Sequence, residues 1–139
     1  MQVKVFQFDL PLQHTFTISH ESRTVQPTMI IRLRDEQGFE GYGEATVTTY
    51  YGVSMAGMLA AVERVRPWIA TYAFTDPESF YAELEQRLPA DSFVRCALDM
   101  AANDLWARRH SKPLYEMWGL DPAKAPTTSY TIGMAPLPE

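Results

Sequence analysis

The chain has 139 residues, 46% of them hydrophobic and 21% charged, with 12 basic against 17 acidic side chains and a formal net charge of −5. That length holds one domain with a real core but not two, and the apolar content excludes a disordered or collagen-like chain. The negative charge, with no basic run longer than Arg108-Arg109, argues against nucleic-acid binding.

Residues 2–10 are a short apolar stretch carrying Val3, Val5, Phe6, Phe8 and Leu10, which predicts a strand ended by Pro11. Residues 25–34 alternate Met29, Ile31 and Leu33 with Thr28, Ile30 and Arg32, the period of a strand with one buried face. Between the two, residues 13–26 are polar with an apolar island at Phe16 and Ile18, and a long functional loop is expected there. Asp35-Glu36-Gln37-Gly38 then turns the chain, with Gly38 left-handed, into a third strand around Phe39-Glu40-Gly41-Tyr42-Gly43-Glu44-Ala45. After Gly52, Ser54 caps a helix whose Met55, Met58, Leu59, Val62, Val65 and Ile69 recur every three or four residues. Thr75-Asp76-Pro77-Glu78 opens a second helix with Phe80, Leu84 and Leu88 on one face. Asp91 is expected to cap a third, with Val94, Ala97, Leu98, Ala101 and Leu105 inward and Arg108-Arg109-His110 at its negative end. Lys112-Pro113-Leu114-Tyr115 restarts a helical turn that Gly119 stops. Residues 128–134 read as a strand, and Pro136-Leu137-Pro138-Glu139 as the opening of another helix, half of a βαβ unit. The expected class is α+β: a three-stranded antiparallel sheet followed by a helical bundle.

No apolar run nears the roughly 20 residues that cross a bilayer, and Met1-Gln2-Val3-Lys4 alternates instead of opening a signal peptide, so a cytoplasmic protein is expected. The single Cys96 is expected to be a small buried hydrophobe. His14, His20 and His110 lie in separate segments with no paired-ligand spacing, which makes a zinc site improbable. Asp99 and Asp104 sit five residues apart on one helix, about 500° of rotation, and form no dyad. Gly41 and Gly43 lack the third glycine of a dinucleotide fingerprint; on a strand they bare one face for close approach by another backbone layer or a ligand loop. Glu44 is either an orienting group for a neighbouring loop or an ordinary strand-end carboxylate. Arg23 can clamp a carboxylate with two parallel hydrogen bonds, or be a solvated surface arginine. Tyr50-Tyr51-Gly52 can line a pocket or pack on the sheet.

Three stretches, Gly38-Phe39-Glu40-Gly41-Tyr42-Gly43-Glu44-Ala45, Ala97-Leu98-Asp99-Met100-Ala101-Ala102-Asn103-Asp104-Leu105 with Lys112-Pro113-Leu114-Tyr115, and Thr128-Ser129-Tyr130-Thr131-Ile132-Gly133, resemble in order and spacing the N-terminal part of an enolase-superfamily enzyme of the muconate-lactonising subgroup. Phe16-Thr17-Ile18-Ser19-His20-Glu21-Ser22-Arg23-Thr24 and the final Thr128-Ser129-Tyr130-Thr131-Ile132-Gly133 resemble in particular the dipeptide epimerases that interconvert L-Ala-D-Glu and L-Ala-L-Glu. The resemblance covers nearly all of the chain. It implies that residues 1–126 form a capping domain and 127–139 the first strand of a (β/α) barrel otherwise missing from this chain, since a whole barrel takes about 250 residues.

The resemblance further implies two mobile loops, 16–27 and 47–52, closing over the barrel mouth. The implied chemistry is proton abstraction next to a carboxylate, with Mg²⁺ stabilising the enediolate and lysines on opposite faces exchanging the proton. Those lysines and metal carboxylates belong to later barrel strands, so no catalytic residue and no metal ligand is expected in this chain, which alone is expected to be inactive. Arg23 matches the cap-loop basic residue that meets a substrate carboxylate, and Thr131 the hydroxyl that contacts the dipeptide; Phe16 and Tyr51 are further expected substrate-binding residues. A small dipeptide is the implied partner, with homo-oligomer formation left open. The chain departs from the family pattern at His20-Glu21, where a basic residue and glycine are common, at Asn103 in place of tryptophan, and at Trp118-Gly119-Leu120 in place of Leu-Gly-Gly. The same cap serves cycloisomerases and o-succinylbenzoate synthases, and without its barrel the fold would be a stand-alone binding or assembly module.

Overall fold

A computed structural model describes residues 1–19, 21–129 and 134. Strands β1 (Gln2–Ile18), β2 (Glu21–Arg34) and β3 (Glu40–Thr46) form one antiparallel sheet in the order β1-β2-β3. The alternation on β2 does what its pattern predicts: Met29, Ile31 and Leu33 are fully buried and join Val3 and Ala45 on the core face. Gly38 turns the chain between β2 and β3 with a φ of 91°.

Residues 13–26 are not the expected loop. β1 runs through Pro11 to Ile18, and its register with β2 shifts between Pro11 and Phe16 before pairing resumes as Phe16 with Arg23, Thr17 with Ser22 and Ile18 with Glu21. The proline is tolerated because β1 is an edge strand of this sheet. No residue from 5 to 19 or from 21 to 27, among those described, is fully buried. The two strands therefore leave the core together as a hairpin arm, and an arm wet on both faces carries no one-sided apolar pattern.

Helices α1 (Met55–Thr71), α2 (Pro77–Arg87) and α3 (Ser92–Arg109) cover the inner face, followed by the short α4 (Leu114–Met117) and a 3₁₀ turn at Pro122–Lys124. Ser54 caps α1 by accepting the Gly57 N–H at 3.1 Å, and Asp76 caps α2 by accepting the Ser79 N–H at 2.8 Å. Asp91 does not cap α3: its carboxylate makes no bond to the first turn and is held by Arg64 instead. The inward stripe of α3 is as expected, Val94, Ala97, Leu98, Ala101 and Leu105 all being buried. Cys96 falls between those positions and is exposed, against expectation.

The glycines of β3 bring α3 onto the sheet. A Cβ on Gly41 would lie 2.1 Å from the Ala101 carbonyl oxygen, a distance no real Cβ shows. The bare face thus serves packing by a second backbone layer. At the far end of α3, Arg109 leaves the helix terminus to pair with Asp35, its Nε 2.5 Å from Oδ2, and donates to the Phe74 carbonyl at 3.2 Å. The Asp35 side chain is only 2% exposed. Burial pushes its carboxyl up, but the Arg109 hydrogen bond, the Phe39 N–H and the guanidinium charge together hold it below its usual 3.8. The pair fastens the β2–β3 turn to α3 and to the segment between α1 and α2.

Candidate functional site

The arm brings two of the expected site residues together. Antiparallel pairing sets Phe16 directly across from Arg23, and the guanidinium carbon lies 5.5 Å from the ring centroid. Arg23 is also held by its own strand: Nη1 donates to Gln26 Oε1, and Nη2 lies 3.8 Å from Glu21 Oε2. The Arg23 and Glu21 side chains are 25% and 29% exposed, so the group is partly shielded from water.

Gln26 also works in the other direction. Its Nε2 donates to the Val47 carbonyl at 3.0 Å and to the Pro27 carbonyl at 3.1 Å, while the Val47 N–H donates back to Pro27 at 3.0 Å. One amide side chain thereby joins Arg23 to the loop that follows β3. That loop is closed by reciprocal Thr48 and Val53 backbone bonds and by Gly52, whose φ of 65° suits the turn. Tyr50 and Tyr51 ride on it, 76% and 69% exposed. They meet edge to face at 4.8 Å, and Tyr51 leans on Phe93 at 5.8 Å between ring centroids. Tyr51 is thus linked to Arg23 through the Gln26 bridge and does not share the Phe16 contact.

Thr131, with most of the expected 128–134 strand and of the 127–139 segment, lies outside the described residues. Met134 is described, and its N–H donates to the Thr17 carbonyl at 2.9 Å, one residue from Phe16. The signals for Glu21 and Gln26 were absent from the sequence, because both act through a register that a polar stretch does not reveal.

The remaining polar candidates have structural partners. Asp104 accepts the Tyr42 N–H at 2.9 Å and the Arg108 Nε at 3.0 Å. Glu44 accepts the Thr28 hydroxyl at 2.6 Å. Burial pushes the Asp99 carboxyl up, opposed by a hydrogen bond from the Asn103 amide. Among the described residues no group of three His, Cys, Asp or Glu side chains is placed to hold a metal ion, so the described donor set does not fit Mg²⁺. No helix among them is long and apolar enough to cross a membrane.

Residues 1–119 match the family described as the N-terminal domain of mandelate racemase / muconate lactonizing enzyme. The chain is 42% identical over 135 residues to an L-Ala-D/L-amino acid epimerase of Flavobacterium johnsoniae, covering 97% of this chain and 40% of that protein. It is 44% identical over 137 residues to an L-Ala-D/L-amino acid epimerase of a Maribacter species, covering 99% and 40%. The chain thus spans about two-fifths of the length of these curated relatives. Among solved structures, a dipeptide epimerase from Cytophaga hutchinsonii, complexed with Mg and the dipeptide D-Ala-L-Val, aligns with a TM-score of 0.86 at 25% identity, over 96% of this chain and 37% of that one.

Proposed function

Since this chain belongs to the mandelate racemase / muconate lactonizing enzyme N-terminal domain family of the enolase superfamily, we propose that it is the capping, substrate-selecting part of a Mg²⁺-dependent dipeptide epimerase. Residues 1–126 act as the cap and 127–139 as the first strand of the barrel it closes. The observation that carries this reading is the Arg23 and Phe16 pair, set on a projecting arm and tied through Gln26 to the loop bearing Tyr51. Such a projecting arm tied to a loop suits a lid that reads one end of a small substrate. The names of the relatives supply the substrate class.

In this reading the proton-exchanging lysines and the carboxylates that hold Mg²⁺ lie outside the described residues. Arg23 sets the charge met by the second side chain of the dipeptide, and the rings of Phe16 and Tyr51 wall that side chain from water. Thr131 offers a hydroxyl at the first barrel strand. A closed lid strengthens every hydrogen bond beneath it by excluding solvent.

The test uses the full-length protein with Mg²⁺ in deuterated water, supplied with L-Ala-L-Leu and L-Ala-L-Glu. Proton NMR is expected to show loss of the second residue's α-proton signal and appearance of the L,D-epimer. Lactonisation of muconate with no exchange in any dipeptide would transfer the cap to a cycloisomerase.

A further inference from the structure

Arg23 is already supplied with counter-groups by its own chain. On β2, Glu21 and Arg23 are two residues apart and so share one face of the arm, opposite Ile18 and Phe16 respectively. The guanidinium offers its five N–H donors in a planar fork, and a bidentate clamp on a carboxylate needs two parallel donors on one edge. Here Nη1 is committed to the Gln26 amide oxygen, the Nη2 side is faced by the Glu21 carboxylate at 3.8 Å, and one flank is taken by the Phe16 ring. The charges of Arg23 and Glu21 sum to zero in a partly shielded setting. A second carboxylate arriving at this fork would displace Gln26 and sit beside a like charge.

We propose that Glu21 is a specificity-determining residue, which together with Gln26 satisfies Arg23 internally, so that the arm favours dipeptides whose second side chain carries no carboxylate. This rests on the epimerase reading above and names the substrate class within it. Glu21 acts through Arg23, so it is a positioning residue whose signature is a changed ratio between substrates. Gln26 adds direction: its other amide atom is anchored on Val47 and Pro27, which prevents it from swinging away to free the fork.

The experiment compares kcat/KM for L-Ala-L-Glu and L-Ala-L-Leu in the full-length protein and in Glu21→Gln, which keeps the side chain's size and removes its charge. The unsubstituted protein is expected to prefer L-Ala-L-Leu. Glu21→Gln is expected to raise turnover of L-Ala-L-Glu about tenfold, while L-Ala-L-Leu changes less than about twofold, a contrast that general damage to the arm cannot produce. Adding Arg23→Met to Glu21→Gln is expected to abolish the gain, and Glu21→Asp to keep the original ratio. A ratio unmoved by Glu21→Gln, or a gain that survives Arg23→Met, would overturn the assignment while leaving the epimerase reading intact. No exchange of either dipeptide by the unsubstituted protein would remove both.

Discussion

A Cβ placed on Gly43 would lie 1.9 Å from the Ala97 carbonyl oxygen, so β3 and α3 meet backbone against backbone. Gly43→Ala must push the helix off the sheet, and the expected cost is about 3 kcal/mol, at the upper end for overpacking. Because the atom met is a carbonyl, truncating Ala97 gives no relief. Urea denaturation should therefore find the double variant Gly43→Ala/Ala97→Gly less stable than Gly43→Ala by the roughly 1 kcal/mol that glycine costs inside a helix, and recovery in the double variant would refute the backbone contact.

The Asp35 and Arg109 pair predicts a pH dependence. The folded-state carboxyl lies below its usual 3.8, so the pair's contribution is fully present above that value and fades as pH falls through the lower, folded value. Arg109→Met, which strands a carboxylate that is 2% exposed, should cost about 3 kcal/mol at neutral pH. Unfolding free energies measured from pH 6 down to pH 2 should converge between Arg109→Met and the unsubstituted chain as acid is added. A constant gap across that range would show the stabilisation to be packing alone.

The two helix caps should separate cleanly. Ser54 accepts a first-turn N–H, and Ser54→Ala should cost about 1 kcal/mol. Asp91 sits at the equivalent position of α3 but is spent on an exposed arginine, so Asp91→Ala should cost less than about 0.5 kcal/mol. Thermal melts of the two variants give the order directly, and a larger loss for Asp91 would reverse the assignment.

Gln26 is the mechanical link between the arm and the second loop. Gln26→Met keeps the stem and removes the hydrogen bonds to Val47 and Arg23, each worth about 1 kcal/mol. Amide hydrogen exchange across residues 47–53 should quicken about fivefold, with Leu98 and Leu105 in α3 unchanged. Acceleration in both places would mean that the substitution loosens the whole fold.

The parts of the fold read correctly from sequence are those where one face is buried and the other is wet. Met29, Ile31 and Leu33 on β2 and the α3 stripe from Val94 to Leu105 carry their burial in their spacing, and the bare Gly41 and Gly43 announce a close approach. The arm beyond Pro11 escaped because Gln13, His14, Thr15, Thr24 and Val25 are all exposed, so no one-sided pattern marks it, and because Pro11 reads as a stop when it lies on an edge strand. Asp91 and Cys96 failed for a related reason, since which partner or face a residue takes depends on elements far along the chain, Arg64 in the first case. For the site, Arg23 and Phe16 were legible one at a time. Their contact, and the parts played by Glu21 and Gln26, exist only once the register between β1 and β2 is set.

The absence of fully buried residues from 5 to 19 and from 21 to 27, among those described, gives the arm an unusual freedom to vary. Most substitutions in a domain draw down a small margin of stability, which couples new activity to the risk of unfolding. On the epimerase reading proposed above, Phe16, Glu21 and Arg23 belong to the arm and not to the buried core, so selectivity and folding rest on different residues. Positions 16, 21 and 23 can diverge with little compensation from the core, unlike Gln26, which holds the following loop, and libraries randomised at those three positions should return mostly folded proteins.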